Sequence, residues 1–289
     1  MTTISFVIIS REAKQRLALC IAAVGAHQPA ADEVVIVLDD PTTPEPPIAS
    51  SATLVSEYRI VRGRGQGRAA ARNDGARAAH GDALLFLDGD MLTASDLIAQ
   101  YVKAFATSRG FVRGRVRELL GAASCSDLAV GGPGFPAAKI SELRAVGFSK
   151  VGYRTSSNLL EQAVEARFID GDESIPAWIA SAGANFMIAR DIWIMLGGQN
   201  ECFGRQWGCE DLEFSYRASE QLGTMTYAED AVGYHLSHSQ PDRWVDHKAT
   251  LDLFVKLHSD RSVRALSYLL ASNGSLDRYR AALREIDEL

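Results

Sequence analysis

Two aspartates flank a glycine directly after an apolar run. Asp88 and Asp90 follow the residues Ala83 to Leu87. Such a run is typical of a buried strand in a parallel sheet, and open α/β sheets bind ligands beyond the carboxyl ends of their strands. Because unpaired carboxylates beside a core are costly, these two require a divalent cation, a positive partner or water. The alternative is a solvated turn in which an aspartate caps a helix.

A second acid pair, Asp39 and Asp40, ends the apolar stretch 33–38. The carboxyl ends of neighbouring parallel strands meet at one edge of a sheet, so this pair is expected near the first. A carboxylate there can accept the imide N–H of uracil or the amino group of another base. A plain turn before Pro41 explains the same residues.

The glycine-rich stretch 63–68 has three interpretations. Residues 65–70 match the dinucleotide-binding fingerprint of glycines followed by alanine, although here they follow a third strand rather than the first. The glycines can instead let Arg68 approach a base or a diphosphate. The third interpretation is a flexible basic loop.

Trp207 and Gly208 precede the adjacent acids Glu210 and Asp211, where a helix begins. Acids at a helix N-terminus interact favourably with the helix dipole, and this structural explanation requires no function. An aromatic wall beside a carboxylate is also what sugar binding and general-base catalysis require. The motif therefore indicates a site for an acceptor nucleophile.

His235 and His238 follow the last strand-like segment of the chain. A lone histidine is commonly structural. A histidine at a strand end, in a chain that already has an acid pair of this kind, is a candidate metal ligand.

The elements that would position these residues alternate between strands and helices, which predicts an α/β fold with a mostly parallel central sheet, flanking helices and a helical C-terminal tail. The predicted strands are 4–9, 33–38, 58–61, 83–87, 111–116, 184–189, 224–227 and 231–235. The predicted helices are 12–26, 68–79, 95–107, 137–147, 157–167, 190–196, 210–222 and the tail from 242. The Gly/Ser/Pro-rich stretch 121–136 is predicted to be a loop or lid.

The composition narrows the class of protein. The chain has 289 residues and a net charge of −6, which argues against a nucleic-acid binder. It has no apolar stretch long enough to span a membrane and no signal peptide, and its four cysteines lack metal-binding spacing. We therefore expect a cytoplasmic protein with reduced thiols. Peripheral membrane contact and a homodimer through the C-terminal helices both remain open.

Together the motifs resemble the inverting glycosyltransferases of family 2 with the GT-A fold. The resemblance covers residues 4–236 and is carried by the order of Asp39-Asp40, the stretch 68–75 and the stretch 79–90. Residues 183–203 resemble the acceptor-side run of that family. Residues 207–217 resemble the segment shared with galactosyltransferase-type C-terminal halves and with polypeptide GalNAc-transferases, which retain configuration and usually have Asn at the position of Asp211. The implied domain is 1–236, with a nucleotide-binding half (1–117), an acceptor-binding half (118–236) and a helical extension (237–289).

The resemblance assigns roles on the donor side. It implies Asp40 at the base, Arg68 at the base or diphosphate, Asp88 at ribose and metal, Asp90 as metal ligand, and His235 as second metal ligand with His238 as its alternate. The residues after Asp40 depart from the usual Gly-Ser of the family, since Pro41 follows directly.

On the acceptor side, the resemblance implies Asp211 as general base, Glu210 as its support or an acceptor ligand, and Trp207 and Asn185 as acceptor contacts.

The resemblance implies an Mn²⁺- or Mg²⁺-dependent transfer from a nucleotide-sugar, with UDP-sugars favoured. The acceptor would be a glycan, a lipid-linked sugar, a peptide or a small molecule. Two alternatives stay open: a phosphohydrolase of the haloacid-dehalogenase type with Asp88 as nucleophile, and a non-catalytic carbohydrate-binding protein.

Overall fold

The elements of the fold follow the predicted alternation closely. The computed structural model describes residues 2–11, 15–25, 27, 29–46, 58–120, 154–181, 183–236 and 243–286. The strands are β1 (Ile4–Ser10), β2 (Glu33–Leu38), β3 (Tyr58–Arg62), β4 (Ala83–Asp88), β5 (Met91–Thr93), β6 (Phe111–Leu120), β7 (Arg154–Ser156), β8 (Asn185–Ala189) and β9 (Met225–His235). The helices are α1 (Gln15–Gly25), α2 (Arg68–Ala78), α3 (Leu97–Thr107), α4 (Leu159–Phe168), α5 (Arg190–Met195), α6 (Glu210–Leu222), α7 (Arg243–Leu257), α8 (Arg261–Arg264), α9 (Leu266–Leu269) and α10 (Leu276–Glu285). Two 3₁₀ turns cover Ala177–Ser181 and Glu201–Phe203.

The strands form one sheet in the order β3-β2-β1-β4-β8-β6-β9-β5, with β7 paired to β6. Strands β1, β2, β3 and β4 pair in parallel. Strand β8 is antiparallel to both β4 and β6, so β6 and its parallel partner β9 point the same way as β1. Within the described residues, the direction shared by β1–β4, β6 and β9 therefore dominates, which agrees with the predicted mostly parallel α/β sheet of the GT-A fold.

Both faces of the sheet are buried, which explains why the central strands are continuous apolar runs. Successive side chains of β1 point to opposite faces. Phe6 and Ile8 pack with helices α1 and α3 on one face, and Val7 and Ile9 pack with α2 and the later helices on the other. Helix α1 buries an apolar stripe made by Leu17, Ile21 and Val24.

Strand β9 differs from the prediction of two separate strands, 224–227 and 231–235. It is one strand whose pairing with β6 shifts register, because Gly114 is opposite Ala228 while Arg115 is opposite Val232. The residues between Ala228 and Val232 bulge out of the ladder, and this irregularity breaks the period-two pattern on which the prediction depended.

The C-terminal helices belong to the same core as the sheet. Phe254 of α7, Leu269 of α9 and Tyr279 of α10 are buried in the cluster that also holds Phe186 of β8 and Phe214 of α6. None of the helices in the described ranges is long and apolar enough to cross a bilayer. The predicted loop 121–136, the predicted helix 137–147 and His238 lie outside the described residues.

Candidate active site

The acid pair lies at the end of β4, with Asp88 as the last residue of the strand and Asp90 in the turn before β5. Strand β5 begins at Met91 and pairs antiparallel with the end of β9, where Met91 is opposite His235. The backbone N–H of Leu236 also donates to the carbonyl of Asp90, at 2.9 Å. This pairing places His235 beside the acid pair, with 3.3 Å between His235 Nε2 and Asp90 Oδ2.

His235 is held between two carboxylates. Its Nδ1 lies 2.7 Å from Oε2 of Glu118, on the neighbouring strand β6. Burial alone would lower the pKa of His235, but hydrogen bonds to Asp90 and Glu118 outweigh burial and raise that pKa to about 10. The imidazolium form of His235 therefore neutralises part of this acidic cluster.

The same atoms fit a shared divalent cation. Adjacent ligands of an octahedral Mg²⁺ or Mn²⁺ ion, each about 2.1 Å from it, lie about 3 Å apart. The separation of 3.3 Å between Asp90 Oδ2 and His235 Nε2 is close to that distance. Among the described residues, no group of three or more His, Cys, Asp or Glu side chains forms a complete metal site. Further ligands would thus come from a diphosphate or water, as is usual for cations bound with nucleotides.

A buried arginine, Arg72 of α2, connects the two acidic motifs. Its side chain is 2% exposed and donates to Asp88 Oδ1 at 3.0 Å and to Glu210 Oε1 at 3.2 Å. It also donates to the side-chain oxygen of Gln199 at 3.1 Å. One cation therefore joins the turn after β4 to the first turn of α6, so both motifs belong to one site.

Asp211 occupies the next position on α6 and is held by a backbone amide. The N–H of Gly183 donates to Oδ2 of Asp211, while the carbonyl of Gly183 accepts from Arg72 at 2.6 Å. A Cβ on residue 183 would lie 2.7 Å from Cβ of Asp211, so only glycine permits this approach.

The electrostatic surroundings of Asp211 suit a base. Burial and the charge of Glu210 raise the pKa of Asp211 to about 6, and the charge of Arg72 opposes that rise. A carboxyl group with this pKa is ionised at neutral pH and is more basic than an exposed aspartate.

The turn before α6 needs unusual backbone geometry. Gly208 has φ 104° and Cys209, which caps the helix, has φ 66°. Glycine adopts such a conformation readily, but at Cys209 it is costly, so surrounding contacts must hold the turn. Helix α7 supplies them: the ring of His247 lies 5.4 Å from that of Trp207, and its Nδ1 lies 3.9 Å from the sulfur of Cys209. Thr250 donates to the carbonyl of Trp207 at 3.2 Å.

On the donor side, the two acids after β2 have different surroundings. Asp40, the predicted base contact, accepts from the backbone and hydroxyl of Thr42 at 2.9 and 2.7 Å and so closes a turn. Asp39 is buried and accepts from the N–H of Gly67 at 3.2 Å. Its Oδ1 has no hydrogen-bond partner among the described residues. Arg68 begins α2, and its charge lowers the pKa of Asp88 against the larger, opposite effect of burial.

The acceptor role predicted for Asn185 is corrected by its position in β8. Its side chain is completely buried. The amide accepts from the hydroxyl of Tyr101 at 2.8 Å and donates to the carbonyls of Arg115 and Ala231 at 3.1 and 2.9 Å. The amide nitrogen therefore holds the bulge between β6 and β9 and the amide oxygen is bound to α3, so this buried side chain is not placed to contact an acceptor.

Sequence reasoning missed Arg72, Glu118 and His247. Arg72 had a recognisable signal, because it stands three residues after Ala69 and four before Ala76, on the buried stripe of an alanine-rich helix. Glu118 and His247 had none, because their contacts depend on strands and helices far apart in sequence.

Comparison with known proteins agrees with this fold. Residues 5–118 match the model for glycosyl transferase family 2. No curated protein matches the sequence. Similar solved structures include S. aureus TarS, at TM-score 0.54 and 12% identity over 96% of this chain. The chain spans only 41% of the TarS chain.

Two further structures contain a nucleotide-sugar and Mn²⁺. A mannosyltransferase from Pyrobaculum calidifontis with GDP-Man has TM-score 0.57 and 17% identity over 100% of this chain and 76% of its own. Glucosyl-3-phosphoglycerate synthase from Mycobacterium tuberculosis, with UDP-glucose and phosphoglyceric acid, has TM-score 0.53 and 12% identity over 88% and 79%.

The chain therefore has the GT-A fold of these glycosyltransferase structures, and its match to the family 2 model is confined to residues 5–118. In the phosphohydrolase alternative Asp88 would be the nucleophile, whereas here Oδ1 of Asp88 is paired with Arg72.

Proposed function

We propose that this protein is a metal-dependent, inverting glycosyltransferase that moves a sugar from a nucleoside-diphosphate donor to an acceptor nucleophile. The observation that carries the proposal is the bridge made by Arg72 between Asp88 and Glu210. It joins a candidate diphosphate and metal site to a candidate base in a single site.

Asp90 and His235 would hold the cation, and Asp88 would contact ribose and metal. The cation would neutralise the charge that develops on the leaving diphosphate. Arg68, on the first turn of α2, would contribute positive charge beside it. The acids after β2 would bind the nucleobase of the donor. Asp39 is a candidate for this contact as well as the predicted Asp40, because Oδ1 of Asp39 is buried and has no hydrogen-bond partner among the described residues.

Asp211 would accept the proton of the acceptor. The acceptor oxygen then forms a bond to the anomeric carbon, the bond from that carbon to the diphosphate oxygen breaks, and the nucleoside diphosphate leaves with the bonding electrons. The Gly183 N–H orients the Asp211 carboxylate, and Trp207 would form one wall of the acceptor site. A single displacement of this kind needs one base, and it inverts the anomeric configuration.

A UDP-sugar remains our favoured donor, although a carboxylate accepts a hydrogen bond from guanine as readily as from uracil. A panel of UDP-glucose, UDP-GlcNAc and GDP-mannose with Mn²⁺ tests this by thermal shift. A donor at 100 times its Kd should raise Tm by about 5 °C. Absence of a shift with all three would contradict the proposed donor class.

The variant Asp211→Asn tests the mechanism. We expect it to lower sugar transfer at least a thousandfold, because the amide cannot accept the proton, while the thermal shift given by the donor stays within about 1 °C of native. Transfer is measured as release of nucleoside diphosphate with a panel of saccharide acceptors. Glu220→Gln, an exposed change of equal charge on the same helix, is the matched control and should keep native turnover. Native turnover in Asp211→Asn would exclude Asp211 as the base.

A further inference from the structure

We propose that Glu118 is a positioning residue of the metal site, which orients His235 so that Nε2 faces Asp90 as a cation ligand. This inference rests on the metal dependence proposed above. No motif in the sequence singled out Glu118.

The sheet places Glu118 by register. Across four neighbouring strands, Ser156 of β7 is opposite Glu118 of β6, Glu118 is opposite His235 of β9, and His235 is opposite Met91 of β5. Met91 directly follows Asp90. This row of opposed residues therefore ends beside the acid pair. Glu118 and His235 lie on paired strands, so a change in the Glu118 side chain acts directly on the position of His235.

Both oxygens of Glu118 are engaged, which fixes the carboxylate. Oε2 lies 2.7 Å from His235 Nδ1, and Oε1 accepts from the side chain of Asn158 at 3.0 Å. Asn158 is itself fixed, because its Oδ1 caps helix α4 by accepting from the N–H of Glu161 at 2.9 Å. The side chain of Glu118 is 19% exposed, so water competes weakly for it.

The chemistry of this contact selects one form of the imidazole. An ionised carboxylate only accepts hydrogen bonds, so Nδ1 of His235 must carry the proton in the neutral ring. The lone pair is then on Nε2, the atom 3.3 Å from Asp90. Carboxylates that hold metal-binding histidines in this way commonly change metal affinity 10- to 100-fold when removed.

The variant Glu118→Gln tests the proposal by Mn²⁺ affinity, measured by electron paramagnetic resonance on the protein alone, with UDP and with GDP. We expect the affinity to fall about 10- to 100-fold in the condition in which the native protein binds Mn²⁺ most tightly. Asp90→Ala should lose that binding altogether. Glu118→Asp keeps the carboxylate on a shorter side chain and should retain more affinity than Glu118→Gln.

Glu165→Gln is the matched control, because Glu165 is a similarly half-buried glutamate that pairs with Arg117 of the same strand, at 3.2 Å. It should bind Mn²⁺ as the native protein does. A second readout is the His235 tautomer in the Mg²⁺ complex by ¹⁵N NMR, where native protein should show Nδ1–H and Glu118→Gln should lose that preference.

Two outcomes would overturn the proposal, and they differ in what they say about the function. Native Mn²⁺ affinity and native tautomer in Glu118→Gln would exclude the role of Glu118 and leave the metal site standing. No Mn²⁺ binding by the native protein in any condition would reject the metal dependence as well, while the test on Asp211 would still decide the general base.

Discussion

The chemistry of the site depends on how one buried cation is shared among several acids. Arg72 contacts Asp88 and Glu210 directly and lowers the pKa of Asp211 through space. Glu210 acts in the opposite direction, because its negative charge raises the pKa of Asp211. The basicity of Asp211 is thus set by its neighbours as much as by its own burial.

The pH dependence of transfer should report this balance. Asp211 has a pKa of about 6, and a base must be ionised to act, so transfer should fall about tenfold per pH unit below pH 6. Removing the charge of Glu210 stabilises the ionised form of Asp211. In Glu210→Gln the fall in transfer rate on the acid side of the pH profile, its acid limb, should therefore move to lower pH, whatever the loss in maximal rate. The measurement is the rate of nucleoside diphosphate release between pH 4.5 and about 8 at saturating Mn²⁺.

Mn²⁺ binding over the same pH range is the control, since protons compete with Mn²⁺ for Asp90 and His235 and a loss of the cation would also reduce transfer at low pH. An acid limb that moves upward in Glu210→Gln, with Mn²⁺ bound throughout, would contradict the assignment of that limb to Asp211.

At the scale of elements, the C-terminal helix α7 holds the turn that presents Asp211, the proposed base. The left-handed conformations of Gly208 and Cys209 are maintained against the ring of His247, which is 4% exposed. A Cβ on residue 208 would lie 2.6 Å from Nδ1 of His247. The helical extension therefore contributes to the geometry of the site as well as covering the core.

The variant His247→Ala should misplace Asp211 without disturbing the donor side. We expect kcat for transfer to fall about tenfold or more, because displacements near 1 Å cost up to a hundredfold, while Mn²⁺ and nucleotide affinities stay native. Val245→Ala, at a residue of the same helix that is 75% exposed, should leave kcat unchanged. Native kcat in His247→Ala would show that the turn holds its shape without α7.

The sequence predicted most of these elements because their patterns are local. The apolar runs of β1, β2 and β4, and the acids that end β2 and β4, are visible in a single stretch each. Strand β5 was missed because it has only three residues, and the unity of β9 was missed because a bulge interrupts it. Asn185 was misassigned because its side-chain amide donates to two backbone carbonyls at the bulge. These contacts exist only after β6 and β9 have paired.

At the scale of the whole molecule, helix α2 ties residues 1–117 to residues 118–236, the halves predicted to bind the nucleotide and the acceptor. Besides the contacts of Arg72, the side chain of Asn73 donates to the carbonyl of Gln199 at 2.8 Å and to Glu201 at 2.9 Å. Arg64, just before α2, pairs with Glu201 at 2.7 Å. The polar contacts of α2 therefore cross the boundary proposed near residue 117 and join the two halves around the site.

The variant Arg72→Ala should lower the free energy of unfolding by about 3–5 kcal/mol, because it leaves the buried Glu210 and the partly buried Asp88 without their positive partner. The measurement is urea unfolding near neutral pH, where both carboxyls of the unfolded chain are ionised. Arg77→Ala removes the same charge from the same helix at a side chain that is 60% exposed, and it should change the free energy by less than about 0.5 kcal/mol. If the two variants unfolded at the same urea concentration, Arg72 would contribute to the chemistry alone. A loss of stability confined to Arg72→Ala would instead mean that Arg72, which assembles the site, also stabilises the contact between the two halves.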